Sequence, residues 1–324
     1  IQIKKVINPF RKKIFVSTDT SLSIRSILLS SIAIGKSKIY NLLNSEDVNS
    51  AIRSVKKIGV KCIKKKNHTE IYGVGINGFN LNNPTTLNAG NSGTLARCIL
   101  GLCSATTKKI KLIGDKSLSR RDFTRVIKPL NLFGVNIKCR SGKLPLQLIG
   151  SNLLRPIVYY ENKGSAQIKT CIILSAINTP GITKLKAKKS RDHTELLLKH
   201  LKYPIRVKKT KNFDLIYIKG LHQFSSFEYD VPGDISSASF FIVLTLLSHN
   251  SELIIQNINL NPSRTGIIKI LNRMNAKIKI LNKKIYKGEV IGDINIKSAK
   301  KLKSVNCPQN LNSSAIDEFL LIFL

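Results

Sequence analysis

The feature that most restricts this chain is a repeat with a period of about 70 residues. Five apolar helical runs open on a cluster of small polar residues. These are Asp19-Thr20-Ser21-Leu22-Ser23, Asn91-Ser92-Gly93-Thr94, Lys163-Gly164-Ser165-Ala166-Gln167, Gly233-Asp234-Ile235-Ser236-Ser237 and Asn312-Ser313-Ser314-Ala315. In phase with them, Ile58-Gly59-Val60-Lys61, Phe133-Gly134-Val135-Asn136, Tyr203-Pro204-Ile205-Arg206 and Met274-Asn275-Ala276-Lys277 each end a helix and start a strand. Such a unit is longer than a solenoid repeat and has the size of a small supersecondary module. Four full modules and the start of a fifth are visible.

Periodicity gives each module the order β-α-β-α-β-β, an α/β chain. In the first, a strand near residues 13–16 precedes a helix over 21–34, a strand over 37–40, a helix over 47–58 and strands over 61–63 and 70–73. The later helices fall over 92–105 and 123–132, 165–177 and 194–201, and 235–248 and 266–274. The fifth module ends inside a run from Ser314 to Leu324, read as one core-facing helix without a C-cap. Exposed final carbonyls and an uncovered apolar stripe lead to the expectation of a truncated chain.

The formal charge of +36 raises nucleic-acid binding as a function. The lysines, however, run through the whole chain and accompany abundant Ile and Asn. Most of the charge is therefore read as compositional, with a smaller share serving an anionic ligand. The six cysteines form no Cys-x-x-Cys pair, and they read as small core residues in a reducing compartment. No signal peptide and no membrane-length apolar run is read, so a cytoplasmic protein without a membrane partner is expected.

The chemistry sits at the module edges. Asn88-Ala89-Gly90-Asn91-Ser92-Gly93-Thr94 opens a helix whose free N–H groups suit a phosphate or carboxylate. Gly114-Asp115-Lys116-Ser117-Leu118-Ser119-Arg120-Arg121 carries paired arginines. Ser190-Arg191-Asp192-His193-Thr194-Glu195 mixes a cation, carboxylates and an imidazole. Asn261-Pro262-Ser263-Arg264-Thr265-Gly266 adds another arginine, and Asp317-Glu318 places two acids in an apolar helix. Helix N-termini, arginines and a carboxylate together fit acid–base work on a multiply anionic substrate.

These stretches, with Gly164-Ser165-Ala166-Gln167-Ile168-Lys169 and Val231-Pro232-Gly233-Asp234-Ile235-Ser236-Ser237-Ala238, make the chain similar to the 5-enolpyruvylshikimate-3-phosphate synthase family. They stand in the family's order over essentially the whole chain. The resemblance implies a two-domain enolpyruvyl transferase fold built from βαβαββ units, with the active cleft between the domains. Residues 19–230 would be a complete domain of three units. Residues 1–18 and 231–324 would be the other, with its second half missing.

The implied reaction moves the enolpyruvyl group of phosphoenolpyruvate to the 5-hydroxyl of shikimate 3-phosphate, with no metal or organic cofactor. By resemblance, Thr20, Ser21, Arg25, Ser165, Ala166, Gln167, Arg191 and Asp317 meet shikimate 3-phosphate. Thr20, Gly93, Arg121 and Gln167 meet phosphoenolpyruvate, and Asp317 is the candidate base. A monomer acting on these two small molecules, without nucleic acid, is expected.

Two departures bear on activity. The family opens its first helix with Pro-Gly-Asp-Lys-Ser, where this chain reads Ser17-Thr18-Asp19-Thr20-Ser21. A neutral hydroxyl at Thr20 does not replace an ammonium that would meet both substrates. The family's Lys-Glu-Ser-x-Arg and Asp-His-Arg stretches would lie beyond Leu324, so an inactive chain is expected. The rival readings are a UDP-N-acetylglucosamine enolpyruvyl transferase-like enzyme and a basic nucleic-acid-binding protein.

Overall fold

Four four-stranded sheets repeat one pattern in a computed structural model that describes residues 8–82 and 84–324. β1 (Arg11–Ile14) leads into α1 (Thr20–Ile32), β2 (Ile34–Tyr40), α2 (Glu46–Lys57), β3 (Lys61–Lys64) and β4 (His68–Val74). The second module is β5 (Thr85–Asn88), α3 (Gly93–Leu102), β6 (Lys109–Ile113), the short α4 (Lys116–Ser119), α5 (Thr124–Phe133), β7 (Asn136–Cys139) and β8 (Leu146–Ile149). The third is β9 (Val158–Glu161), α6 (Ala166–Ile177), β10 (Ile182–Lys188), α7 (His193–His200), β11 (Ile205–Lys209) and β12 (Phe213–Lys219). Then come β13 (Glu228–Asp230), α8 (Ile235–Leu247), β14 (Glu252–Asn259), α9 (Gly266–Arg273), β15 (Lys277–Tyr286) and β16 (Glu289–Lys297).

In each sheet a lead strand pairs in parallel with the strand after the first helix. The last two strands of the module then add antiparallel, as in the order β5-β6-β8-β7. The lead strands are not all local. β1 does not join the first module, as its position before α1 suggested; it pairs with β14, Arg11 opposite Glu252. The first module is led instead by β13, with Tyr229 opposite Ile39. A strand of four residues carries too few side chains to state its partner, so the pairing is set by which sheet edge is open.

Contacts divide the chain into two compact units: residues up to Asp19 together with Pro232–Leu324, and Thr20–Val231. The first seven residues of the expected lead-in lie outside the described residues.

The larger unit is built around three helices. α1 is buried on nearly every side, with Ser26 and Ser31 returning their hydroxyls to the Ser23 and Leu28 carbonyls. α3 and α6 pack backbone to backbone: a Cβ on Gly101 would stand 2.1 Å from the Cys171 carbonyl oxygen. Asn178 closes that pair by donating to the Leu102 carbonyl at 2.9 Å. Local chemistry explains the helix starts. Ser45, Ser92 and Ser165 each accept from the backbone N–H three residues on. Cys62, Cys98, Cys103 and Cys171 are core residues as expected, whereas Cys139 and Cys307 are exposed. Burial pushes the Cys98 thiol up to about 11, which keeps it unreactive.

The smaller unit packs α8 and α9 on the sheet of β1, β14, β16 and β15. The outer side of α8 leaves Phe240, Phe241, Leu244 and Leu247 exposed. The expected single helix from Ser314 is not formed. Asn312–Ala315 and Phe319–Ile322 are separate helical turns flanking a 3-10 turn at Ile316–Glu318. Ala315 is buried against Ile270 and Leu311, while Ile316, Leu320 and Phe323 face solvent. A straight helix would have to bury its acids with its apolar stripe; the break turns Glu318 inward and leaves Asp317 outside.

The inward Glu318 accepts from the Ser236 hydroxyl. Ser236 also accepts from Arg264 at 2.7 Å, and Arg264 reaches Asp19 at 3.2 Å and Asp234 at 2.9 Å. Burial opposes the Arg264 charge, but Asp19 and Asp234 outweigh it and its pKa is raised. Burial, then the Asp19 charge, raises the Asp234 carboxyl. Arg264→Met is expected to destabilise this unit by about 3–5 kcal/mol, because it strands buried carboxylates. Urea unfolding checks this, and a loss below about 1 kcal/mol, the scale of an exposed pair, would contradict it.

Candidate active site

Gly93 begins α3, one residue after its cap, and lies buried. Two guanidinium groups crowd over it. A Cβ built on Gly93 would stand 2.8 Å from Arg97 Nη1 and 3.0 Å from Arg121 Nη1. Arg97 comes from the same helix, one turn on, and donates to the Gly93 carbonyl at 3.3 Å. Its guanidinium lies over the Phe123 ring, 5.0 Å from the centroid. Arg121 follows α4 and donates to Asn91 Oδ1 at 3.0 Å, while the Asn91 amide donates to Asp115 at 2.7 Å.

Gln167, in the first turn of α6, completes the group. Its Oε1 accepts from Arg97 at 2.8 Å and its Nε2 donates to the Thr94 hydroxyl at 3.1 Å. The Arg97 contact fixes the amide's orientation, oxygen toward the cation. Among the described residues neither Arg97 nor Arg121 forms an ion pair with a carboxylate. Burial, followed by the Arg121 charge, lowers the Arg97 pKa. The Asp122 charge acts on Arg97 from beyond ion-pair distance, so a helix N-terminus and two like charges converge on one point where an anion would relieve both.

The structure thus brings Gly93, Arg121 and Gln167 together and adds Arg97, three residues past the Asn88–Thr94 motif, to which the sequence analysis assigns no role. Its signal was the spacing: four residues from Gly93 on a helix is the same face.

A second group lies beneath the starts of α1, α6 and α7. Arg25 is buried and donates to the Thr194 hydroxyl at 3.1 Å, the Thr170 hydroxyl at 3.3 Å and the Ser21 carbonyl at 3.0 Å. Thr170 and Thr194 share a 2.8 Å hydrogen bond. Thr20 and Ser21 are the first residues of α1 and half-buried. Ser165 caps α6, Ala166 is its first residue, and Arg191 is half-buried in the turn before α7. Asp317 belongs to the smaller unit and is exposed.

The crowding predicts an effect of Gly93→Ala. The added methyl needs both guanidinium ends to move back by several tenths of an ångström. The Kd for a phosphate-bearing ligand is expected to rise about tenfold, as loss of one charge-assisted hydrogen bond would give. An unchanged Kd would mean that the ligand does not use this point.

The model of the EPSP synthase (3-phosphoshikimate 1-carboxyvinyltransferase) family matches residues 4–320. The 3-phosphoshikimate 1-carboxyvinyltransferase of Vesicomyosocius okutanii is 40% identical over 99% of this chain and 73% of that relative. The Legionella pneumophila (strain Corby) protein of that name is 36% identical over the same shares, 99% and 73%. The solved EPSP synthase of Acinetobacter baumannii superposes with a TM-score of 0.88 at 34% identity, over 97% of this chain and 71% of that one.

Proposed function

The chain belongs to the EPSP synthase family, and from that premise we propose which of its residues carry the family's reaction. The reaction transfers the enolpyruvyl group of phosphoenolpyruvate to the 5-hydroxyl of shikimate 3-phosphate and releases phosphate. In our proposal phosphoenolpyruvate is held by Arg97, Arg121, Gln167 and the backbone at Gly93, with Thr20 at its edge. Shikimate 3-phosphate is held by Thr20, Ser21, Arg25, Ser165, Ala166 and Arg191. Asp317 meets the 5-hydroxyl and takes its proton.

The hydroxyl oxygen then bonds to C2 of phosphoenolpyruvate as C3 gains a proton from solvent water, to which it is later returned. The tetrahedral adduct loses phosphate as C3 gives that proton up. Charge on phosphate and carboxylate persists throughout, so fixed cations hold the donor in place, and they lower the barrier where negative charge grows, on the attacking oxygen and the departing phosphate. The observation that carries the assignment is the pair of guanidinium ends converging over the buried Gly93 with, among the described residues, no carboxylate in ion-pair contact with either. The two compact units would be the family's two domains.

Exposed lysines such as Lys12, Lys61, Lys111 and Lys208 stand on all four sheets. That spread supports a compositional origin for the charge and a protein without nucleic acid as partner; we take it as a cytoplasmic monomer without a membrane partner. Among the described residues no helix is long and apolar enough to cross a membrane.

The test is binding and turnover with chosen acceptors. Calorimetric titration of shikimate 3-phosphate should give heat that Arg121→Ala leaves intact, while phosphoenolpyruvate binding is lost in that variant. Phosphate release that depends on UDP-N-acetylglucosamine, and not on shikimate 3-phosphate, would overturn the assignment.

A further inference from the structure

Lys169 lies one residue beyond the first turn of α6, two residues after Gln167, and its side chain is fully buried. Its Nζ stands 2.7 Å from Glu195 Oε1, itself 3% exposed, and 3.4 Å from the Ser190 carbonyl oxygen. A buried ion pair of this kind is a poor device for stability, since apolar residues of similar volume often do as well or better. What it supplies is a fixed direction for an ammonium with three donors.

We propose that the Lys169–Glu195 pair is a positioning device that holds the Ser190–Asp192 turn, and with it Arg191, against the start of α6. The functional half of this inference rests on the reading of Arg191 as a contact for shikimate 3-phosphate. Glu195 sits in the first turn of α7, where the helix dipole favours a carboxylate. It orients Lys169, and Lys169 donates onward to the Ser190 carbonyl. On the other side of Arg191, the Asp192 carboxylate is held by Lys209 at 3.0 Å. Arg191 is therefore flanked by two anchored neighbours.

The adjoining residues repeat the connection one step along both helices. Thr170 bonds Thr194 there, and Arg25 bonds both. The α6–α7 seam thus joins the Gln167 end of the site to the Arg191 turn through a run of polar contacts. An apolar seam would pack as well but would give the Ser190 carbonyl no donor.

The test separates position from stability. In Lys169→Met/Glu195→Leu the pair becomes apolar at similar volume. The variant is expected to melt near the parent. Amide hydrogen exchange over residues 189–192 in the ligand-free chain should quicken about tenfold or more, and the Kd for shikimate 3-phosphate should rise about tenfold. In an Arg191→Ala background the same double substitution should cost no further affinity, which a general structural defect would not reproduce. Glu195→Gln, which keeps the side-chain volume, is the milder variant and should quicken the same amides. Unchanged exchange in either folded variant would overturn the positioning role. Parent-like binding by Arg191→Ala would instead overturn the reading of Arg191, a separate failure on a separate measurement.

Discussion

Lysine in place of Thr20, in a chain extended by the family's Lys-Glu-Ser-x-Arg and Asp-His-Arg stretches, is expected to raise the rate of shikimate 3-phosphate-dependent phosphate release by about 10²–10³, the scale of one well-placed transition-state donor. Thr20 opens α1, half-buried, directly before Ser21. The preceding Asp19 is already engaged by Arg264, so a new ammonium at position 20 is not drawn into a pair with it. A cation at a helix N-terminus opposes the dipole and costs about 0.3–1 kcal/mol. That loss is smaller than the two to three powers of ten in rate, which correspond to about 2.7–4 kcal/mol. The gain should appear in KM where the charge meets groups that stay anionic from substrate to transition state, and in kcat where it meets charge that develops as the 5-hydroxyl gives up its proton. Equal rates for parent and Thr20→Lys would show that a hydroxyl suffices at this position.

What was legible in the sequence was local. The polar openings name the helix starts because a cap is a contact over three residues, and Ser92 and Ser165 make those contacts. The period and the α/β order follow from the same short-range patterns. Sheet membership was less legible. β1 stands next to α1 in the chain yet pairs with β14, and β13 completes the first module instead. Strand pairing depends on open edges far away in sequence, which a run of four residues cannot encode.

The last turns show a second limit. Asp317 and Glu318 are adjacent, and periodicity alone treats both as breaks in one apolar stripe. Ser236, from α8, draws Glu318 inward and the helix breaks around it. Arg97 shows a third. In a chain carrying 54 basic residues, a lone arginine reads as a solvated charge. Only the turn carrying Arg121 and the start of α6 carrying Gln167, brought to the same face, give it a task.

That task predicts the second large effect. Arg97→Ala removes a donor to Gln167, a donor to the Gly93 carbonyl and a cation over Phe123 in one step. The Kd for phosphoenolpyruvate is expected to rise about 100-fold, the sum of a lost charge-assisted contact and a freed Gln167 amide. Arg97→Lys is the sharper comparison. It keeps the charge but has no planar fork to hold Gln167 Oε1 and stack on Phe123 together. Lysine is therefore expected to recover about half of the lost free energy, leaving the Kd about tenfold high. Full recovery would mean that charge alone is used at this position. No effect of Arg97→Ala would remove Arg97 from the site and leave Arg121 as the cation that meets the phosphate. Unfolding midpoints decide whether the comparison is fair: the Phe123 face is packed against the guanidinium, and a loss of more than about 1 kcal/mol in both variants would point to packing as the shared cause.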